Sequence, residues 1–441
     1  MKNWPLTLAA NETKVPMGYK KSLPRTLFIV HVRDDAETSD QFKISSQESA
    51  DLMQGSSVVT FLVCLFCLTT LHGAEEMPGL AKEKPAEGFS VRTEQGWMVA
   101  YEMAIPGTEV KFRMVPVPGG EYLMGSPAAE PNRKDDEGPQ RKVFVAPFWM
   151  AECEVTWAEY RQFMELYRVL KELQANRIRT VTDSNRIDAV TAPTPLYMPD
   201  FTFEFGDDPK LPAVSMTQYS AKQYTKWLSA ISGQQFRLPT EAEWEYACRA
   251  GSATAYSFGD DPAMLEEYGW FETNTEKKGS RLVRQKKPNF WGLYDMHGNV
   301  AEWVIDGYAN YMPQEAAVNA AKDWARTDKP DPRVVRGGSW EFPAADCRSA
   351  ARLGSDDEAW KYQDPNLPLS PWWYTDDPAR GVGFRLLRPL QPLPRMEIED
   401  FWKIDAEDIQ YDVDDRLNEG RGVLGLVDKD LPQAILDLQK K

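Results

Sequence analysis

The spacing of proline and tryptophan constrains this chain more than any other feature. Thirty-two prolines and 15 tryptophans are scattered along the 441 residues. Proline lacks a backbone donor and disrupts helix interiors and central strands, so many loops are expected. Tryptophan brings a large apolar surface that pins connecting segments onto a core. The expected product is a loop-rich α+β fold with short strands and few helices. Three helix starts stand out against this background. Thr156 and Glu159 form a capping box in which each side chain satisfies the other's orphan backbone donor. Tyr160, Phe163, Met164 and Tyr167 follow at helical spacing on one face. Thr240 and Glu243 repeat the box, with Pro239 before it and Gly251 as the expected stop. Between them, Ser220–Ile231 places Tyr224, Trp227, Leu228 and Ile231 on one face and ends at Gly233. These aromatic faces are read as core.

Charge and the reactive side chains narrow the function classes. The formal net charge is -16. Such a surface repels phosphate backbones and anionic lipid, so nucleic acid is not expected as a partner. Three histidines and five cysteines are too few for zinc-finger, iron–sulfur or disulfide-dense scaffolds. The apolar run Val58–Leu68, continuing to Leu71, is too short to span a bilayer and has the length of a signal-peptide core. The expected organisation starts with an over-extended or disordered leader at 1–52. A signal peptide at 53–74, cleaved near Ala74, and a polar linker at 75–100 follow. One domain occupies 101–389, with a surface insertion at 167–211. Residues 391–441 carry 13 acidic and 7 basic side chains and are expected to be a solvated acidic extension from 390 onward. The protein is then exported, periplasmic or extracellular, as a monomer without an integral membrane domain. It retains one histidine, His297, and three cysteines, Cys153, Cys248 and Cys347.

Five blocks carry a family resemblance. They are VPGGEYLMGS (Val117–Ser126), PFWMAECEVTWAEYRQF (Pro147–Phe163), FRLPTEAEWEYACRAG (Phe236–Gly251), PNFWGLYDMHGNVAEW (Pro288–Trp303) and the RVVRGGSW…CRSAAR…GFRLL set between Arg333 and Leu387. In this order they resemble the formylglycine-generating enzyme, or sulfatase-modifying factor, family over about residues 101–389. The resemblance implies a single domain with a variant of the C-type lectin-like fold, low in regular secondary structure. It also implies oxidation of a sulfatase cysteine to formylglycine by copper(I) and oxygen. Copper(I) is soft and prefers thiolates. The resemblance places its two cysteines two and seven residues after Trp340, which here are Phe342 and Cys347. Counting back from Ala350–Arg352 instead puts Cys347 three residues out of register. Ala301 takes the position of a tryptophan and Gly381 that of an asparagine near the family's active site.

Ser339, Trp340 and Cys347 are therefore the candidate catalytic remnants, and Phe342 is expected to line a substrate groove. Copper is not expected. Iron is excluded, because the iron branch of the family uses three histidines. A structural calcium is implied at Asp295, Gly298, Val300 and Glu302, where hard oxygens and a tight glycine turn match calcium's preferences. Two functions follow. The first is an exported sulfatase-modifying-factor-like module without copper oxidase activity, taking a peptide, a sulfatase-like protein or a glycan, or running a divergent reaction. The alternative is a genuine formylglycine-generating oxidase with relocated thiols.

Overall fold

Four short antiparallel strands form the sheet that anchors one side of the core: β4 (Tyr101–Ala104), β5 (Lys111–Val117), β8 (Phe148–Ala151) and β15 (Leu387–Pro389), in the order β15-β8-β5-β4. Along β5, Lys111 and Arg113 face out while Phe112 and Met114 face in, so one face is apolar at the period of a strand. Every residue of β8 is buried, as expected of a central strand covered on both faces. The computed structural model describes residues 77–313, 316–361 and 369–439, so the leader and signal-peptide expectations lie outside the described residues.

A second four-stranded sheet carries the polar core. It runs β13 (Arg352–Gly354), β12 (Arg333–Arg336), β10 (Ala301–Gly307) and β14 (Val382–Gly383). All seven residues of β10 are buried, including Glu302 and Asp306. A third sheet joins β6 (Gly120–Met124), β7 (Arg141–Val145) and β11 (Val318–Asn319). Among the longer helices, α1 (Trp157–Ala175) starts at the Thr156/Glu159 box and α4 (Glu241–Arg249) at the Thr240/Glu243 box. The intervening helix α3 (Gln218–Ser232) ends at Gly233 with φ +69°. The stop of α4 comes one residue earlier than expected, at Ala250 with φ +47°. Among the described residues no helix is long and apolar enough to cross a membrane.

Three expectations about boundaries are corrected. The segment expected as a linker at 75–100 folds. Strands β1 (Leu80–Ala81), β2 (Ser90–Thr93) and β3 (Gly96–Val99) form an antiparallel sheet in the order β1-β3-β2. Met98 is fully buried, and Arg388 ties the segment down through the Pro78 carbonyl at 3.0 Å. Its charge content hid a short alternation that needs only one apolar face.

The insertion expected at 167–211 is integrated in part. Its start is the second half of α1, with Leu170 and Leu173 in the core. Strand β9 (Ala189–Thr191) pairs with β16 (Leu424–Leu426). What remains on the surface is the stretch around the short helix α2 (Pro199–Thr202).

The acidic extension is part of the same core. Short turns α5 (Leu265–Tyr268), α6 (Glu272–Thr275) and α7 (Asp357–Trp360) precede its helices α8 (Arg395–Trp402), α9 (Glu407–Asn418) and α10 (Leu431–Gln439). Ile398, Phe401 and Trp402 lie at i, i+3 and i+4 and pack into the main apolar cluster with Val413, Val423, Val427 and Leu431. Glu397, Glu407 and Asp408 are exposed while Glu399 and Asp405 pair inward, so net charge concealed an amphipathic period.

Candidate functional site

The Arg336–Phe342 turn leaves β12 and crosses the end of the second sheet. Gly337 and Gly338 have φ of +99° and +69°, a region that favours glycine. A Cβ on Gly338 would stand 2.6 Å from the Cys347 sulfur and 2.8 Å from the Asp346 carbonyl. The glycine therefore lets the chain run directly over Cys347, which is fully buried among Ala255, Tyr256, Leu265 and Phe271. Burial pushes the Cys347 thiol up, and Asp346 adds to the shift. The other two described cysteines are also protonated at neutral pH. Burial lifts Cys248 to about 12, and burial with Glu154 lifts Cys153 well above its ordinary range. The Cys248 sulfur contacts the Met296 carbonyl at 3.5 Å, Ser349 Oγ at 3.7 Å and the His297 ring. All three cysteines are free. Buried neutral thiols are poor ligands for copper(I), which binds the thiolate.

His297 is a packing residue. Its ring nitrogens meet the Cys347 carbonyl at 2.8 Å and the Ser257 backbone N–H at 3.1 Å. Burial pushes it down to about 4 against the first of these bonds, so it is neutral and bonded on both sides.

Ser339 and Trp340 come together, but not in an open groove. Ser339 is fully buried, and Trp340 is only 3% exposed. The Trp340 amide donates to the Asn299 carbonyl at 2.9 Å and its Nε1 to the Arg380 carbonyl at 3.3 Å. The Phe205 ring packs edge-on against the indole at 5.0 Å. The expected groove lined by Trp340 and Phe342 is thus covered at Trp340 by a segment that the sequence assigned to a surface insertion. Phe342 is half-buried and lines a separate small cavity of about 60 Å³ with Ala301, Gly338, Lys134 and Asp346. Lys134 and Asp346 pair at 2.6 Å on its rim. The alanine at 301 therefore borders this space where the family has a larger ring.

Glu341 was missed in the sequence and belongs to this site. A Cβ on Gly381 would lie 2.9 Å from Ser339 Oγ and 3.1 Å from Glu341 Oε1. The glycine at the family's asparagine position therefore leaves room that the Glu341 carboxyl occupies. Burial and the nearby Asp377 push Glu341 up to about 7, and its Oε1 is a buried acceptor without a hydrogen bond. No motif announces this residue. Its role depends on a distant glycine.

The expected calcium set splits in two. Glu302 accepts from Arg385 Nε at 2.6 Å, from Arg385 Nη2 at 2.5 Å and from Trp244 Nε1 at 2.7 Å. Both of its oxygens are committed, beside a cationic guanidinium, so Glu302 does not fit as a ligand. Val300 is fully buried directly before β10, and Gly298 has φ +125°. A Cβ on Gly298 would stand 2.2 Å from the Trp270 carbonyl, so the glycine serves a close backbone approach. Asp295 is different. Its Oδ2 accepts the Arg284 amide at 2.8 Å, while Oδ1 is buried without a donor, as is Glu154 Oε2. Burial pushes Asp295 up to about 6, and burial together with Asp295 lifts Glu154 well above the carboxylate range. Two adjacent buried carboxyls with an orphaned oxygen each fit a shared proton or a hard cation. Among the described residues, no group of three or more His, Cys, Asp or Glu side chains is placed to hold a metal.

Comparison with known proteins agrees with the blocks that built this site. A formylglycine-generating enzyme from Bos taurus is 29% identical over 271 residues, covering 54% of this chain and 70% of the relative. The inactive C-alpha-formylglycine-generating enzyme 2 of Mus musculus is 30% identical over 252 residues, covering 52% and 74%. The structure of PvdO from Pseudomonas aeruginosa aligns with a TM-score of 0.47 at 27% identity, over 65% of this chain and 100% of that one. The family described as sulfatase-modifying factor enzyme 1-like matches residues 105–362, more than half of the chain. With its mixed α+β sheets and a family match over residues 105–362, the chain belongs to the sulfatase-modifying factor, or formylglycine-generating enzyme, family.

Proposed function

We propose that this protein is an exported sulfatase-modifying-factor-like module that does not carry out copper-dependent oxidation. Its ligand site is the covered Ser339–Trp340–Glu341 cluster, and an extended peptide is the ligand class favoured. The observation that carries this reading is the state of the thiols. Phe342 stands where the resemblance calls for the first thiol, and Cys347 is packed under Gly338 with its proton held by burial. A phenyl ring cannot donate to copper(I), and one buried neutral thiol binds it poorly. The relatives include both a formylglycine-generating enzyme and a protein named as inactive, so membership alone does not decide activity.

What remains in the site is chemistry for holding a ligand. Ser339 offers a hydroxyl, Trp340 an indole face and Glu341 a carboxyl acceptor in need of a donor. A peptide N–H or a basic side chain would supply that donor. The test mixes purified full-length protein with a CxPxR peptide, copper(I) and oxygen, and traps product with a hydrazide. No aldehyde is expected, while the peptide is retained unoxidised. Aldehyde formation would restore the oxidase reading, and retention of glycans but not peptide would replace the ligand class.

The structural cation is kept as part of this proposal with a revised ligand set. Asp295 and Glu154 are its side-chain donors, and a divalent cation there would neutralise two carboxyls that burial otherwise lifts above the usual carboxylate range.

A further inference from the structure

We propose that Pro199–Gly206 is a strap closed over the Ser339–Trp340–Glu341 site and latched there by Arg380, so that access to the site requires the strap to swing away. Three observations meet at this latch. The Arg380 guanidinium lies over two strap rings at once, 4.8 Å from Phe201 and 4.9 Å from Phe205. It pairs with Glu204 on the strap and with Asp377 on the body, the latter through Nε at 2.8 Å. Phe205 in turn rests on the Trp340 indole. One arginine thus joins the strap to the chain segment whose carbonyl holds Trp340 Nε1.

Phe203, in the middle of the strap, packs on Trp157 of α1 at 4.9 Å, and Arg161 pairs with Asp207, one residue beyond the strap, at 3.3 Å. The strap itself is a single helical turn and its exit, held by Phe203 N–H to the Pro199 carbonyl at 2.8 Å and Gly206 N–H to the Phe203 carbonyl at 2.9 Å. Gly206 has φ +117° and only a light contact near its Cβ position, 3.5 Å from Leu211, which leaves it free to act as a hinge. Residues 204–210 are exposed on their outer side. Glu204 is 56% exposed, so its bond to Arg380 is an exchangeable surface pair of small net worth. The ring contacts to Arg380 add a comparable small amount. Such a latch opens at modest cost.

Glu341 Oε1 in the Ser339–Trp340–Glu341 site is buried and unbonded, an acceptor that an entering donor would satisfy.

The gating role rests on the ligand reading above, but the motion is measurable without any ligand. Hydrogen exchange of full-length protein should be followed over residues 202–206, with α3 as the internal reference. Arg380→Ala is expected to speed exchange of the strap amides at least tenfold and to expose Phe203 and Phe205 to chymotrypsin, with α3 unchanged. Glu204→Gln, which removes only the ion pair, is expected to give a rise of a few-fold. Unchanged strap exchange in both variants would overturn the proposal. So would a rise spread equally over α3, since Arg380 would then support the whole fold. A mobile strap with no peptide retention would leave the motion intact and sink only the ligand reading.

Discussion

Single residues decide what chemistry this member of the family retains. Glu302 and Asp295 lie on the same loop-to-strand segment and both looked like cation ligands in the sequence. The fold separates them, because Arg385 and Trp244 claim Glu302 while nothing donates to Asp295 Oδ1. A carboxylate's worth as a ligand thus depends on whether its lone pairs are already used, and the sequence does not show that. The prediction at this scale concerns chelation. Protein purified without chelator is expected to carry calcium. Removing it is expected to lower stability by about 3 kcal/mol at a hundredfold excess of calcium over its Kd, read as a fall in Tm that added calcium reverses. Asp295→Ala should abolish that response. A chain whose Tm ignores chelator, and which binds no calcium, would mean that the pair shares a proton instead.

At the scale of elements, the C-terminal extension changes most between sequence and structure. Its helices bring Ile398, Phe401 and Trp402 into the main cluster, and Asp405 into a buried ionic group. Asp405 accepts from Lys222 at 2.9 Å and from both terminal nitrogens of Arg333, at 2.9 and 2.8 Å. Burying one such apolar side chain contributes roughly 1.5–3 kcal/mol. Removing one partner of a buried ion pair costs about 3–5 kcal/mol. A chain truncated after Leu390 is therefore expected to lose cooperative unfolding and to aggregate, measured by urea denaturation and size-exclusion chromatography. A truncated chain as stable as the full one would return the extension to a solvated tail. The helix starts, in contrast, were legible as written. Thr156/Glu159 and Thr240/Glu243 are local devices whose partners lie three residues apart, and both cap their helices as expected.

At the scale of the whole molecule, buried ionisable groups set the response to pH. Burial raises Glu159 to about 7 despite its capping bonds with Thr156. Burial and Glu241 raise Asp306 to about 7 as well. For both, the folded state binds its proton more tightly than the unfolded state does. Their unfavourable contribution is fully present above about pH 7 and disappears as the pH falls toward about 4. Asp405 acts in the opposite sense. Burial alone would raise it, but Lys222 and Arg333 outweigh burial and hold it at about 2. Its contribution is present above the unfolded value of about 4 and is lost as the pH falls through about 2. Stability is therefore expected to rise from pH 8 to about pH 5 and to fall steeply below about pH 4. Urea denaturation across this range checks it, and a maximum at pH 8 would contradict it.

The sequence by itself determined the family, the mixed α+β class and the three helix starts. These follow from local chemistry or from short blocks whose residues are contiguous. The tertiary structure alone decided that the presumed linker and tail belong to the core. It alone decided that Cys347 lies beneath Gly338, that Glu341 fills the space left by Gly381, and that Phe205 covers Trp340. Each of these joins residues far apart in the chain. Burial, the proton on a thiol and the freedom of a carboxylate depend on what stands within a few ångströms, and chain separation does not encode that distance.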